Sequence, residues 1–489
     1  MRQKQGIVYL VGAGPGDIRL LTIKGFEVLQ KADVVLYDRL IHPLLLEWTK
    51  PDAEIIYCGK LPDRHLLRQE AINDLLVKKG QEGKIVVRLK GGDPSVFGRV
   101  AEEADALQAA SVPFEIVPGI TAGIGASTYA GISVTHRDYG GSFAVVTGHN
   151  KTASGEPTVD WQALSKGVDT IAFYMGVKNL PYISENLLLN GKDPDTPVSI
   201  IQWGTLGKQK VLKATLKTVA KKAKEEKVEN PAITLVGDVN HLRQGKSWFE
   251  RQPLFGQHIL FARTDDEPSS TVESLRDLGA EVFEYPRFQI RFSEDKQIDY
   301  RLYDCLYFLS PKSVQAFFKH ITDIGLDIRF IQADFVVRSK KSAKLLSSYA
   351  CSSITIDEME PGKKVLVLGE EMSEQEKSSL KKKLGDFDYF VSYQKALVSQ
   401  SAATFERLWD EGRIETIVFP NEKSVVQITD ALAKTKYTPT LISKHVEVIC
   451  YGPISYQKAI ELGYVGAKVL EHPNKEELIQ KLGYSLVKR

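Results

Sequence analysis

Val8-Tyr9-Leu10-Val11-Gly12-Ala13-Gly14-Pro15-Gly16-Asp17 is the stretch from which the fold is read. An apolar run of strand length enters a glycine-rich turn, and helical spacing follows over residues 22–32. The same unit recurs as Ile85-Val86-Val87-Arg88-Leu89 before Gly91-Gly92 and as Phe114-Glu115-Ile116-Val117 before Pro118-Gly119. It returns at 144–147 before Gly148, at 171–175 before Gly176, at 198–203 before Gly204 and at 233–236 before Gly237. Helical-period stretches at 69–79 and 101–109 lie between these runs. Short strands alternating with helices predict α/β layers with a largely parallel sheet. In such sheets the loops leaving the carboxyl ends of the strands line the ligand crevice. One glycine there is a plain turn residue, whereas glycines repeated in that topological position predict backbone approaching a ligand.

A length of 489 residues predicts roughly three compact units. With 43% hydrophobic and 26% charged residues, the chain can bury cores and is not disordered as a whole. The 64 Lys and Arg nearly cancel the 62 Asp and Glu, which argues against a nucleic-acid partner drawn by bulk charge. Cys58, Cys305, Cys351 and Cys450 form no C-x-x-C pair, so neither a disulfide scaffold nor a zinc ribbon is expected. No apolar run is long enough to span a membrane, and Met1-Arg2-Gln3-Lys4-Gln5 is no secretory signal. The expectation is a cytoplasmic protein without a membrane partner. Residues 245–256 have neither period and read as a linker with aromatic anchors, after which strand-like runs resume. The second half is therefore α/β as well. Basic clusters at 221–224 and 381–383 fall on helical stretches beside glutamates and read as solvated faces.

Asp17 stands where a dinucleotide fingerprint needs glycine, and Pro15 removes a backbone donor, so the first loop suits neither a nicotinamide nor an ATP phosphate. It can still approach an uncharged adenosine or an amino-acid tail. Asp38 closes the strand at 34–37 and is either a general base or a turn cap. Lys60 follows the strand at 54–57 and gains interest only beside Asp38. The most specific run is Lys90-Gly91-Gly92-Asp93-Pro94-Ser95-Val96-Phe97-Gly98-Arg99, continuing to Glu102-Glu103. Its glycines allow close approach, and Asp93 is a helix cap or a ribose acceptor. Arg99 and Glu102, three apart, share a helix face as a surface ion pair or as a site pair. Pro118-Gly119-Ile120-Thr121-Ala122, Thr135-His136-Arg137-Asp138 and Thr147-Gly148-His149 follow. There is no H-E-x-x-H, so no metal is expected, and no G-x-S-x-G elbow, so no serine hydrolase.

Together VYLVGAGPGD, LLTIKGFEVLQKADVVLYDRL, RLKGGDPSVFGR, VPGITAG, THRDYG, TGH, YMG and NPAITLVGDV resemble uroporphyrinogen-III C-methyltransferase. That family lies within the tetrapyrrole methyltransferase superfamily, and the resemblance covers residues 6 to about 244. It implies two α/β lobes holding S-adenosylmethionine as methyl donor against Pro15, Gly91, Gly92, Asp93, Val96, Thr121, Ala122, Met175 and Gly204. It places the base and acid on Asp38 and Lys60, and substrate handling on Arg99, Glu102, Arg137 and His149. Val100 and Ala101 depart from the more usual GRGGEE, leaving the charged residues intact. The implied reaction methylates uroporphyrinogen III at C2 and C7 to precorrin-2, in sirohaem or cobalamin biosynthesis, and the implied assembly is a homodimer through this half. A substrate with eight carboxylates needs converging cations, best supplied by bidentate arginines. Arg99 and Arg137, with Arg39 or Arg64, supply them without a large net charge.

Residues 256–489 resemble uroporphyrinogen-III synthase through Ile259-Leu260-Phe261-Ala262-Arg263, the run 303–314, Val391-Ser392-Tyr393, Phe419-Pro420-Asn421 and Tyr451-Gly452-Pro453-Ile454-Ser455. That family has two α/β lobes joined by a two-stranded linker. Here the first lobe takes about 256–289 and 396–489, and the second about 290–395. The resemblance places Tyr393 at the cleft and Ser310, Ser313 and Ser455 in polar loops. Val336-Val337-Arg338-Ser339 stands where a glycine is common, and Ser455-Tyr456 replaces Thr-Ala. Two readings follow: a lobe that cyclises hydroxymethylbilane with inversion of ring D, or a degenerate lobe kept for structure or channelling. Rivals of other classes are an oxidoreductase, opposed by Asp17, a nucleic-acid methyltransferase, which needs a basic stripe with stacking aromatics, and a non-enzymatic tetrapyrrole carrier, which would not bind the donor.

Overall fold

The computed structural model describes residues 6–59, 68–150, 155–264, 269–294 and 298–487. They form two compact units, Met1–Pro286 with Ser399–Arg489, and Arg287–Val398.

The first sheet of the first unit is β1 (Ile7–Gly12), β2 (Val34–Tyr37), β3 (Glu54–Tyr57), β4 (Ile85–Lys90) and β5 (Phe114–Val117). Its order is β3-β2-β4-β1-β5, and every pairing is parallel. Alternate residues enter two cores, one holding Val8, Leu10, Val34 and Val86, the other Val11, Val35, Val87 and Leu89. Both faces are covered, which is why these strands read as continuous apolar runs. Arg88 interrupts that run.

The second sheet joins β6 (Phe143–Thr147), β7 (Thr170–Tyr174), β8 (Pro197–Gln202), β9 (Lys210–Thr215) and β10 (Ala232–Val236) in the order β6-β7-β10-β8-β9. Here the expectation of a largely parallel sheet needs correction. Only β6 and β7 are parallel, because β9 returns from β8 after a short loop and β10 enters reversed between β7 and β8. The carboxyl ends of β7 and β8 therefore share an edge with the amino end of β10. Gly237, after β10, leaves from the opposite edge.

The chain then forms β11 (His258–Ala262) and β12 (Glu281–Tyr285) and passes into the second unit. There β13 (Phe288–Phe292) precedes β14 (Cys305–Phe308), β15 (Asp334–Val337), β16 (Val365–Gly369), β17 (Phe387–Val391) and β18 (Tyr393–Leu397). A parallel sheet β15-β14-β16-β17 is accompanied by the antiparallel ribbon β13-β18. Back in the first unit, β19 (Thr416–Phe419), β20 (Glu447–Cys450) and β21 (Lys468–Val469) complete the parallel sheet β12-β11-β19-β20-β21. Among the described residues no helix is long and apolar enough to cross a membrane.

Candidate active site

The loops leaving β1, β4 and β5 meet at glycines. A Cβ on Gly12 would lie 2.6 Å from the Gly119 Cα and 2.7 Å from the Gly92 carbonyl oxygen, so backbone packs on backbone here. Gly14 and Gly92 exchange amide hydrogen bonds of 3.2 and 2.8 Å, both in the left-handed region at φ 75° and 71°. Asp93 braces the same loops: Oδ1 accepts from the Ser95 N–H at 2.7 Å and Oδ2 from the Gly119 N–H at 2.8 Å. The next helix begins only at Val100, with Arg99 at its N-cap, so Asp93 does not cap it.

Beneath these loops lies a group of buried charges. Arg88 Nη2 donates to Asp38 Oδ1 at 2.7 Å, and Arg88 Nε donates to Glu103 Oε1 at 3.1 Å. Lys90 Nζ donates to the same Glu103 oxygen at 2.7 Å, and Gln69 Nε2 also donates to it at 3.2 Å. Glu103 is wholly buried, and the Arg88 side chain is 3% exposed, whereas Asp38 keeps 34% exposure. Burial, reinforced by the Arg88 charge, lowers the Lys90 ammonium from its ordinary value. The crossover from β4 into the helix Val100–Ala109 brings Glu103 over the strand that carries Arg88 and Lys90. Arg88 Nη2 in turn reaches Asp38, just past the neighbouring β2, while its Nη1 is buried without a hydrogen-bond partner.

The second sheet supplies the facing wall. Tyr174, at the end of β7, has its hydroxyl 2.5 Å from Thr121 Oγ1 and accepts from the Gly123 N–H. The N-cap of the helix Ala122–Tyr129 is thereby tied to β7, and burial raises the Tyr174 phenol above its ordinary value. A Cβ on Gly204 would strike the Ala126 side chain, so this loop too lies against its neighbour. Phe97, Arg99, Met175 and Trp203 all adopt left-handed backbone, at φ 56°, 57°, 56° and 51°. Non-glycine residues hold that conformation at a cost, and such residues gather at functional sites.

These parts enclose a cavity of about 570 Å³. Pro15, Asp38, Gly91, Gly92, Asp93, Val96, Arg99, Thr121, Ala122, Met175 and Gly204 line it. Glu102 meets it through Arg99, whose Nε and Nη2 form a forked pair with its carboxylate, Nε to Oε1 at 2.8 Å. Arg137 and His149 are exposed and do not line the cavity, and Lys60 and Arg64 lie outside the described residues. In the second unit Ser310 Oγ and the Tyr393 hydroxyl are 2.9 Å apart. Ser455 belongs to the first unit, buried in the first turn of the helix Pro453–Glu461, its Oγ donating to the Gly452 carbonyl at 2.9 Å. Arg88 and Tyr174 open the motifs RLKGGDPSVFGR and YMG without being assigned a role, and Trp203 lies outside every motif. A charge inside an otherwise apolar strand was a further signal for Arg88.

An S-adenosyl group fits what is present: bare backbone at Gly91 and Gly92, apolar walls at Val96, Ala122, Ala126 and Ile201, and a carboxylate at Asp93. Gly92 in particular has no atom of another segment nearer than 3.8 Å to the position of an added Cβ, leaving room at that wall.

Residues 7–220 match the family Tetrapyrrole (Corrin/Porphyrin) Methylases, and residues 269–480 match Uroporphyrinogen-III synthase HemD. A uroporphyrinogen-III C-methyltransferase of Bacillus subtilis is 40% identical over 462 residues, covering 92% of this chain and 93% of its own. A protein of the same name from Priestia megaterium is 57% identical over 234 residues, covering 48% of this chain and 98% of its own. A crystal structure of uroporphyrin-III C-methyl transferase from Thermus thermophilus, complexed with S-adenyl homocysteine, is 39% identical, with a TM-score of 0.42, covering 48% of this chain and 99% of its own.

Proposed function

The chain belongs to the uroporphyrinogen-III C-methyltransferase family, and from that premise we propose that its amino-terminal part, residues 1–244, methylates uroporphyrinogen III at C2 and C7 to precorrin-2. S-adenosylmethionine is the proposed donor, supplying a methyl group made electrophilic by its sulfonium. The observation that carries this reading is the single cavity lined by Asp38, the bare Gly91-Gly92 backbone and Met175. Gly91, Gly92, Pro15, Val96, Thr121, Ala122, Met175 and Gly204 hold the donor, and Asp93 keeps their loops in register. Arg88 engages Asp38 Oδ1 at 2.7 Å, which orients the carboxylate. Oδ2 is then the oxygen assigned to take the proton released as the ring carbon is alkylated. Arg99, paired with Glu102 at the rim, exchanges that partner for a substrate carboxylate. Lys60 is the proposed acid, and Arg137 and His149 act only if the bound tetrapyrrole extends beyond the cavity. Positioning supplies much of the acceleration, since both reactants are held by walls that are already packed.

The product feeds sirohaem or cobalamin synthesis, and the protein works in the cytoplasm, with the methyltransferase part forming a homodimer. Incubation of the full chain with uroporphyrinogen III and isotope-labelled donor tests the reading. Mass analysis is expected to show two added methyl groups, and a product without label would remove it.

The match over residues 269–480 favours a second activity, cyclisation of hydroxymethylbilane by residues 256–489. The Ser310–Tyr393 hydroxyl pair sits in the second unit as a polar contact for that substrate. Supplied with hydroxymethylbilane, the full chain is expected to form the type III isomer. Type I product alone, at the spontaneous rate, would leave this part a structural lobe.

A further inference from the structure

The synthase-like sequence contributes more to the first unit than a third sheet. The helix Ser399–Asp410 runs beside the first sheet. Near its start Gln400 Nε2 donates to the Ala53 carbonyl, ahead of β3, at 2.7 Å. Two turns later Arg407 Nη2 donates to the carbonyls of Arg39 and Ile41, just past β2, at 2.7 and 3.3 Å. Its guanidinium carbon stands 5.7 and 5.9 Å from the ring centroids of Tyr37 and Tyr57, and its Nε pairs with Glu411 at 2.9 Å. Arg407 thus grips the loop 38–42, whose Asp38, Arg39 and Leu40 line the cavity.

Glu281, at the start of β12, grips a second loop. Its Oε1 accepts from the Gly207 N–H at 2.8 Å, and its Oε2 pairs with Arg413 Nη2 at 2.6 Å. The same Oε2 lies 3.5 Å from His42 Nε2, the residue that ends the Asp38 loop. His42 Nδ1 accepts from the Leu44 N–H at 3.2 Å, and its Nε2 also lies 2.5 Å from Arg413 Nη2, the nitrogen that pairs with Glu281. Trp203, Gly204 and Leu206, immediately before Gly207, also line the cavity. Glu281 therefore joins both cavity loops, holding the Gly207 amide directly and His42 through Arg413 Nη2.

Resting on the methyltransferase reading above, we propose that Arg407 and Glu281 are positioning residues for methyl transfer, contributed by the synthase-like part of the chain. They touch neither donor nor substrate. Arg407 sets the backbone that aims Asp38, and Glu281 holds the Trp203–Gly207 loop to the Asp38 loop. Misplacing a reacting group by about an ångström costs on the order of 10²-fold in rate, so small slack in either loop is enough to matter.

The test uses the full chain with uroporphyrinogen III and labelled donor. Arg407→Ala is expected to lower kcat by about 10- to 100-fold while the donor KM stays within about twofold. Arg407→Lys recovers part of that loss, since an ammonium can still donate to these carbonyls but cannot also lie as a plane over Tyr37 and Tyr57 and fork to Glu411. Glu281→Gln lowers kcat in the same way. Gln400→Ala, at the far edge of the sheet, leaves kcat unchanged whatever it does to thermal stability. If Arg407→Ala does not fold, Arg407→Lys and Glu281→Gln carry the test. Folded variants with wild-type kcat overturn the inference, as does an equal loss in Gln400→Ala, which would mark general loosening. A wild-type chain that adds no methyl overturns the methyltransferase reading itself, and the inference with it.

Discussion

Asp38 and Glu103 show how different two carboxylates can be within one site. Asp38 is partly exposed at a cavity wall and is oriented from one side by Arg88. Asp38→Asn keeps the shape and the Arg88 contact through its carbonyl oxygen but cannot accept a proton. It is expected to retain donor affinity, measured by calorimetry, while turnover falls by about 10²- to 10⁴-fold. Glu103 is wholly buried and answers two cations, Arg88 and Lys90. Glu103→Ala leaves buried Lys90 without its carboxylate and Arg88 with Asp38 alone, and urea unfolding is expected to show a loss of about 3–5 kcal/mol. The run around Gly91-Gly92 was legible because glycine, proline and aspartate in a strand-exit turn have few other uses. Glu103 was not, because a glutamate on a helix normally faces water. Only the packing of that helix over β4 reveals that it faces Arg88.

At the scale of elements, strands buried on both faces were the readable ones: β1, β4 and β14 are nearly unbroken apolar runs. β9, β13, β17 and β18 mix Lys, Arg, Gln and Asp with apolar residues, and β13 and β18 find each other only across about a hundred residues. Nothing local distinguishes such segments from loops. The antiparallel insertion of β10 was likewise invisible, since a strand's direction is decided by its neighbours and not by its own composition. The helix Pro311–Asp323 starts with a reciprocal cap, Ser310 Oγ accepting from the Ser313 N–H at 3.2 Å and Ser313 Oγ accepting from the Ser310 N–H at 3.1 Å. Ser310→Ala removes this cap together with the Tyr393 contact. The second unit is expected to lose about 1 kcal/mol, read from its own transition in denaturant.

For the whole molecule, a central datum is a histidine that does not want a proton. Burial, then the Arg413 charge, lower the His42 pKa from 6.5 to about 4. Burial works to raise the Glu281 carboxyl, but Arg413 and His42 hold it well below the usual carboxylate range. Between pH 6.5 and about 4 the unfolded chain takes up a proton at His42 that the folded chain refuses, so stability falls as pH drops through that window. The loss is about 3 kcal/mol from this group alone. His42→Asn, which can still cap the turn at Leu44, is expected to flatten the pH dependence of urea unfolding by that amount. No sequence pattern announced this contact, because His42, Glu281 and Arg413 come from segments more than a hundred residues apart. The family motifs describe each half separately and are silent on what one half does for the other. The order in which a ribosome delivers these segments has a consequence of its own. The Asp38 loop emerges early, but Arg407 leaves the exit tunnel only after the whole inserted unit Arg287–Val398 has been made. At about 5–20 residues per second, that unit alone takes roughly ten seconds of translation. A nascent chain therefore carries its methyltransferase loops unbraced for that interval, and its full catalytic competence arrives with the carboxyl-terminal helices.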